Sequence, residues 1–227
     1  KIPFPVVGMS NVMPYRSEKY KNLTDEMLKQ WKTGFKEQIT KAVKKFKPDL
    51  ILVHHLWILT AFLSELVTEI PIKAICHGTG LRQLNQAEKF ADYVKSGCRK
   101  VDTVFALHSG QKKKISRLYD INPAKIIVVG SGYDSDIFYP PVNSQALKPI
   151  EVVYAGKISC AKGLKSLIRV CSLLSANYKL ELKFVGSGSG KEAESIKKLA
   201  RAADCLIEMP GAVPQTQLGE IFRKSDI

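Results

Sequence analysis

The sequence is short of cysteine and of acidic charge, and it has no long apolar run. Its five cysteines (Cys76, Cys98, Cys160, Cys171 and Cys205) are odd in number and nowhere spaced C-x-x-C. That argues against a disulfide framework and a cysteine zinc site, and it fits a reducing, cytoplasmic setting. The longest apolar stretch, Leu50 to Leu63, is broken by His54 and His55 and falls short of the roughly 20 residues a membrane-spanning helix needs. No apolar segment of the signal-peptide kind follows Lys1. With only 15 Gly and 11 Pro in 227 residues, collagen-like and low-complexity classes are excluded. No P-loop pattern, G-x-x-x-x-G-K-(S/T), occurs anywhere.

What is present is an ordinary globular composition, 45% hydrophobic and 25% charged, with 35 Lys+Arg against 21 Asp+Glu and a net charge of +14. The excess is spread along the chain and is densest at Lys41 to Lys47 and at Lys112-Lys113-Lys114. Solvated helix faces account for such runs, and so does attraction to an anionic partner. No helix-turn-helix, zinc-finger or RNP pattern accompanies the charge, so no specific nucleic-acid binding is expected.

Periodicity organises the chain. Leu23, Met27, Leu28, Trp31, Phe35, Ile39, Val43 and Phe46 recur every three or four positions, which predicts a long amphipathic helix capped by Thr24. Leu50 to Val53 reads as a buried strand, Trp57 to Glu69 as helix and Ile72 to Cys76 as strand. Helix is expected over Gln86 to Arg99, strand over Thr103 to Leu107, helix from a Ser109 cap to Tyr119, and strand over Ile126 to Val129. A Gly/Pro-rich segment follows, and then the alternation restarts. Strands fall at 151–155, 180–185 and 205–209, and helices at 163–176, 191–203 and from 218. Strands alternating with helices predict parallel βαβ units. The expected architecture is α/β: two Rossmann-like domains with parallel sheets, residues 1–136 and 150–227, joined by a linker at 137–149.

Three loops carry candidate chemistry. In Tyr154-Ala-Gly156-Lys157-Ile-Ser-Cys-Ala-Lys162-Gly163 a strand ends on glycine, and two cations bracket a helix start. Gly156 permits close backbone approach. Lys157 and Lys162 can converge on one anion, such as a pyrophosphate, where open α/β sheets bind ligands. Two exposed loop lysines are the plain alternative. Val185-Gly186-Ser-Gly188-Ser-Gly190 is a second glycine turn between strand and helix; it departs from G-x-G-x-x-G at Lys191, which argues against a redox dinucleotide site. The third loop is Cys76-His77-Gly78-Thr79, which places His77 at a strand's carboxyl end, where an imidazole can bond a polar ligand or simply order the turn.

His54 and His55 close another strand. Being adjacent, they are expected on opposite faces, with at most one toward the cleft, which makes a poor metal pair. Asp134-Ser-Asp136 spells D-x-D, but turn chemistry in the Gly/Pro-rich segment explains it, and no metal is expected.

Gly156-Lys157 followed by Lys162-Gly163 resembles the glycine–arginine/lysine…lysine–glycine signature of family 4 retaining glycosyltransferases with the GT-B fold. Gly130-Ser-Gly132-Tyr-Asp134-Ser-Asp136-Ile-Phe138-Tyr-Pro140 is similar to that family's hinge. Val185-Gly186-Ser-Gly188, Pro210-Gly211-Ala-Val213, Ser225-Asp226-Ile227 and the His77 turn follow in the family's order. The resemblance spans nearly the whole chain; each motif alone is weak, and their order is the specific signal.

The resemblance implies a nucleotide-diphosphate sugar as donor substrate and no further cofactor. It implies that Lys157 and Lys162 hold the diphosphate, that Gly156, Gly186 and Gly188 shape its pocket, that Val213 contacts the base and that His77 contacts the sugar or acceptor. The acceptor is unspecified, lipid-linked or polysaccharide. With a lipid acceptor, peripheral contact with the inner membrane face is expected through the basic helix from Thr24 to Lys47. The family's first strand with its glycine-rich loop, and its glutamate-x7-glutamate segment, are not in the sequence. Both domains are therefore expected to be incomplete, within a longer transferase, and this portion alone inactive. A noncatalytic nucleotide- or anion-binding module and a sugar-nucleotide epimerase are the alternative readings.

Overall fold

A computed structural model describes residues 2–9, 13, 15–141 and 149–227. The chain divides into two compact units between Ser131 and Gly132. Of the segment read as a linker, residues 137–141 fall in the second unit and residues 142–148 lie outside the described residues.

The first unit opens with a short parallel pair, β1 (Val7–Gly8) and β2 (Glu18–Lys19). Helix α1 (Asp25–Phe46) begins where expected: Thr24 accepts the Met27 N–H at 3.2 Å, and Asp25 and Glu26 occupy the first turn, where acidic charge suits the helix dipole. Trp31 is its one buried residue. It stacks on Phe35 with centroids 4.1 Å apart and meets Phe62 edge-on. The apolar stripe does not hold to the end, because Phe46 is 72% exposed.

A four-stranded parallel sheet follows in the order β3 (Ile51–His54), β4 (Ile72–Ile75), β5 (Thr103–Ala106), β6 (Ile126–Val128). The strand expected to be buried is the edge strand β3. Val53 is buried, but Leu50 and Leu52 are about half exposed. An apolar run does not by itself distinguish a central strand from an edge strand. Helices α2 (Ile58–Leu66), α3 (Thr79–Gln86), α4 (Ala91–Cys98) and α5 (Ser109–Tyr119) connect the strands. The helix expected over Gln86 to Arg99 is shorter, α4 from Ala91: Gln86 ends α3, Ala87 leaves the helical region at ψ 58°, and Glu88–Phe90 is a single 3-10 turn. The α5 cap is His108, not Ser109: its Nδ1 accepts the Gln111 N–H at 3.2 Å.

The core gathers Leu56, Trp57, Ile58, Ala61, Val94, Cys98, Val104, Ile115 and Tyr119. Tyr119 donates its buried hydroxyl to Leu56 O at 2.6 Å. α2 and α4 meet so closely that a Cβ on Gly97 would lie 2.5 Å from Ala61.

The second unit is a three-stranded parallel sheet, β7 (Ile150–Ala155), β8 (Leu180–Val185), β9 (Leu206–Gly211), with a register shift between Lys183 and Val185. Its core of Leu164, Ile168, Leu182, Phe184, Ala193 and Ile196 is roofed by α6 (Leu164–Leu174) and α7 (Gly190–Arg201). α8 (Gln215–Lys224) holds residues 137–139: Arg223 donates to Ile137 O at 2.8 Å and lies over the Tyr139 ring. Asp134 closes its own turn, its Oδ1 accepting the Asp136 N–H at 3.0 Å. All five cysteines are free, and among the described residues no helix is long and apolar enough to cross a membrane.

Candidate functional site

Each unit carries candidate residues at the carboxyl end of its parallel sheet. In the second unit β7 ends at Ala155, and the chain turns at Gly156, whose φ of 151° is rare for a residue with a Cβ. It reaches α6 through Gly163, which is left-handed at φ 78°. The neighbouring turn, Gly186 to Gly190, packs against this loop main chain to main chain. Gly156 N donates to Val185 O, Ile158 N to Ser187 O and Gly186 N to Gly211 O, all within 2.9 Å. A Cβ on Gly186 would lie 1.8 Å from Gly156 O, and one on Gly188 2.4 Å from Ile158 O. The glycines predicted to shape a pocket are therefore required first by the contact between the two turns.

Two side chains complete the clasp. The Tyr154 hydroxyl donates to Lys157 O at 2.8 Å, and Glu192, in the first turn of α7, accepts the Cys160 N–H at 2.7 Å. Lys157 and Lys162 are both exposed, and among the described residues neither is held in an ion pair, which leaves their ammonium groups accessible to an anion. Val213 is half exposed in the loop between β9 and α8. Sequence reasoning missed Glu192. A signal was present, because Ser189-Gly-Lys-Glu192 matches a capping box. In the fold the Ser189 side chain makes no cap bond, and the carboxylate reaches across to the other loop instead.

In the first unit His77 follows β4 and is exposed, before Gly78 at φ 82°. His54 and His55, expected on opposite faces, both meet it. His54 Nδ1 lies 2.8 Å from His77 Nε2 with the rings nearly parallel, and the His55 ring centroid is 4.9 Å from that of His77. The reason is the backbone of His55, which is left-handed at φ 70°. Left-handed geometry breaks the side-to-side alternation of a strand, and histidine is among the non-glycine residues that adopt it. Several bonds hold His55 there. Its N–H reaches Ile75 O, its carbonyl accepts the Thr60 hydroxyl, and its Nδ1 pairs with Thr79 Oγ1 at 2.8 Å. Burial, and then the neighbouring His77 and His54 imidazoles, push the His55 pKa below its usual value of 6.5. Nearby, burial raises the Cys76 thiol and outweighs the Gly78 N–H that favours its thiolate.

Residues 14–137 match the family model described as Glycosyltransferase Family 4, and residues 135–227 match Glycosyl transferases group 1. No curated protein matches the chain. Among solved structures, a glycosyltransferase from Rickettsia africae ESF-5 is similar with a TM-score of 0.63 at 17% identity, covering 93% of this chain and 57% of that one. HepE of Anabaena, in complex with UDP-glucose, gives 0.62 at 13%, covering 84% and 54%. The apo lipopolysaccharide outer core galactosyltransferase WaaB gives 0.59 at 16%, covering 90% and 55%. At these identities the likeness is one of fold, the α/β parallel-sheet architecture of GT-B proteins, and this chain spans a little over half the length of each.

Proposed function

The chain belongs to glycosyltransferase family 4, and on that premise we propose that it forms part of a retaining transferase that moves a sugar from a nucleotide-diphosphate sugar to a lipid-linked or polysaccharide acceptor. One observation carries the reading. The two glycine turns of the second unit lock together through their main chains and leave Lys157 and Lys162 exposed, without an ion-pair partner among the described residues, on the loop after β7.

Departure of a nucleoside diphosphate builds negative charge on the leaving phosphate. Two ammonium groups fixed beside it lower that barrier by electrostatics, with no covalent step at the lysines. They supply the positive charge that a divalent metal supplies in D-x-D enzymes, and Asp134 is engaged in its own turn. In this reading Gly156, Gly186 and Gly188 let the main chain approach the donor, Val213 borders the base, and His77 contacts the transferred sugar or the acceptor. UDP and UDP-glucose, bound by Anabaena HepE, are the first donor probes to use. The free thiols and the nucleotide-sugar donor suit the cytoplasm. A lipid-linked acceptor would bring the basic end of α1, Lys41 to Lys47, to the inner membrane face.

Calorimetry on the chain with UDP, GDP, ADP and UDP-glucose tests the proposal. One nucleotide should bind, and Lys157→Ala with Lys162→Ala should weaken it by at least about tenfold, since each charge-assisted contact exceeds a neutral one. Heats of binding that are absent for every nucleotide, or unchanged by the lysine substitutions, refute it.

A further inference from the structure

Of the three clustered imidazoles, His54, His55 and His77, the proposed reading uses one and leaves two without a task. His54 Nδ1 and His77 Nε2 are 2.8 Å apart. A neutral imidazole carries its proton on one nitrogen and a lone pair on the other, so one of these facing atoms must donate and the other accept. Assigning a tautomer to either ring therefore assigns it to both.

The intrinsic tautomer preference of imidazole favours one arrangement. Neutral histidine in water prefers its proton on Nε2. With the proton there, His54 offers Nδ1 as the acceptor, which His77 satisfies with its own proton on Nε2; both rings then hold the preferred tautomer. The opposite arrangement forces both rings into the less favoured form. His55 fits the same pattern, its Nδ1 being available to accept the Thr79 hydroxyl. In this arrangement His77 Nδ1 bears a lone pair and has no partner among the described residues, and the ring is exposed.

We propose that His54 is a positioning residue that holds His77 in its Nε2–H tautomer, so that His77 presents Nδ1 as a hydrogen-bond acceptor to a sugar hydroxyl. The proposal rests on the reading of His77 as the sugar-contacting group. It differs from a purely structural role for His54, because it concerns which nitrogen of another residue carries a proton. Asparagine at position 54 can place its carbonyl oxygen near the site of the imidazole Nδ1 and preserve the lock; alanine cannot.

Long-range nitrogen–proton NMR of the ¹⁵N-histidine-labelled chain reads the tautomer directly and needs no substrate. His77 should show a protonated Nε2 and an unprotonated Nδ1, His54→Ala should give a mixture of tautomers, and His54→Asn should restore the single form. Adding UDP-glucose should shift His77 Nδ1 in the wild type and in His54→Asn, and shift it less in His54→Ala, where the accepting tautomer is only partly populated. A protonated Nδ1 on His77, or a His77 tautomer that His54→Ala leaves unchanged, overturns the proposal whatever the activity. An intact lock together with UDP-glucose that leaves His77 Nδ1 unshifted overturns its hydroxyl-acceptor part. Failure of the glycosyltransferase reading shows separately, as loss of nucleotide binding at the lysine loop.

Discussion

Glu192 accepts the main-chain N–H of Cys160 at 2.7 Å, across 32 residues of sequence. The bond ties the first turn of α7 to the loop that carries Lys157 and Lys162, and it sets a carboxylate against a loop proposed to bind an anion. Geometry and charge therefore act in opposite directions at this position, and substitution separates them.

Glu192→Ala is expected to loosen the loop and weaken UDP binding by roughly three- to tenfold, the worth of one partly exposed hydrogen bond. Glu192→Gln keeps an acceptor for Cys160 and drops the charge, so it should bind UDP at least as tightly as the wild type. Calorimetry on the three proteins decides. Tighter binding by Glu192→Ala would mean that the carboxylate competes with the ligand and does not order the loop.

The interlocked turns predict a contrast between two glycines. Gly186→Ala drives a Cβ to 1.8 Å from Gly156 O and 2.8 Å from Gly156 C, both main-chain atoms. It should destabilise the second unit by about 3 kcal/mol or more, since neither loop can yield without breaking the other's bonds. Gly211 is left-handed at φ 88°, and no atom of the described residues lies within 4 Å of a Cβ placed there, so Gly211→Ala carries only the backbone penalty, about 1 kcal/mol. Urea unfolding of both variants measures the difference.

Two glycines of the first unit should respond with opposite signs. Gly97→Ala would set a Cβ 2.5 Å from Ala61 at the contact of α2 with α4, and a loss of about 1–3 kcal/mol is expected. Gly34 lies within α1, where among the described residues a Cβ would meet only Ile2, at an ordinary 3.5 Å. Gly34→Ala should raise stability by about 0.5–1 kcal/mol through helix propensity and a less flexible unfolded chain. Thermal melts of the two variants should move in opposite directions.

His55 adds a pH dependence. Its pKa in the fold lies below the unfolded value of 6.5. Above that value both states hold it neutral. As the pH falls below it, the unfolded chain takes up the proton first, so stability declines until the pH has passed through the lowered folded value. His55→Asn, which tolerates the left-handed backbone, should show a smaller fall in urea midpoint between pH 7 and pH 5 than the wild type. Equal slopes would count against burial as the cause.

Much of the fold is legible locally. The apolar period of α1 and its Thr24 cap, the strand–helix alternation and the two glycine turns all lie within short windows, where steric rules and periodicity act directly. The misreadings share a cause. Leu50 to Val53 is as apolar as a central strand, but its exposure depends on which strands lie beside it. The break at Ala87 and the His108 cap of α5 are choices between comparable local options that packing settles.

The sequence by itself determined the α/β class, the positions of Gly156, Lys157, Lys162, Gly186 and Gly188 on strand-to-helix loops, and the family. Each of these follows from residue type and short-range order. Only the tertiary structure decided that His54, His55 and His77 form one cluster, and that Glu192 serves Cys160 rather than its own helix cap. Those partners are 23 and 32 residues apart. A hydrogen bond between distant residues forms only when the strands and helices that carry them are side by side, and at His55 it also depends on a left-handed turn that no local pattern announces.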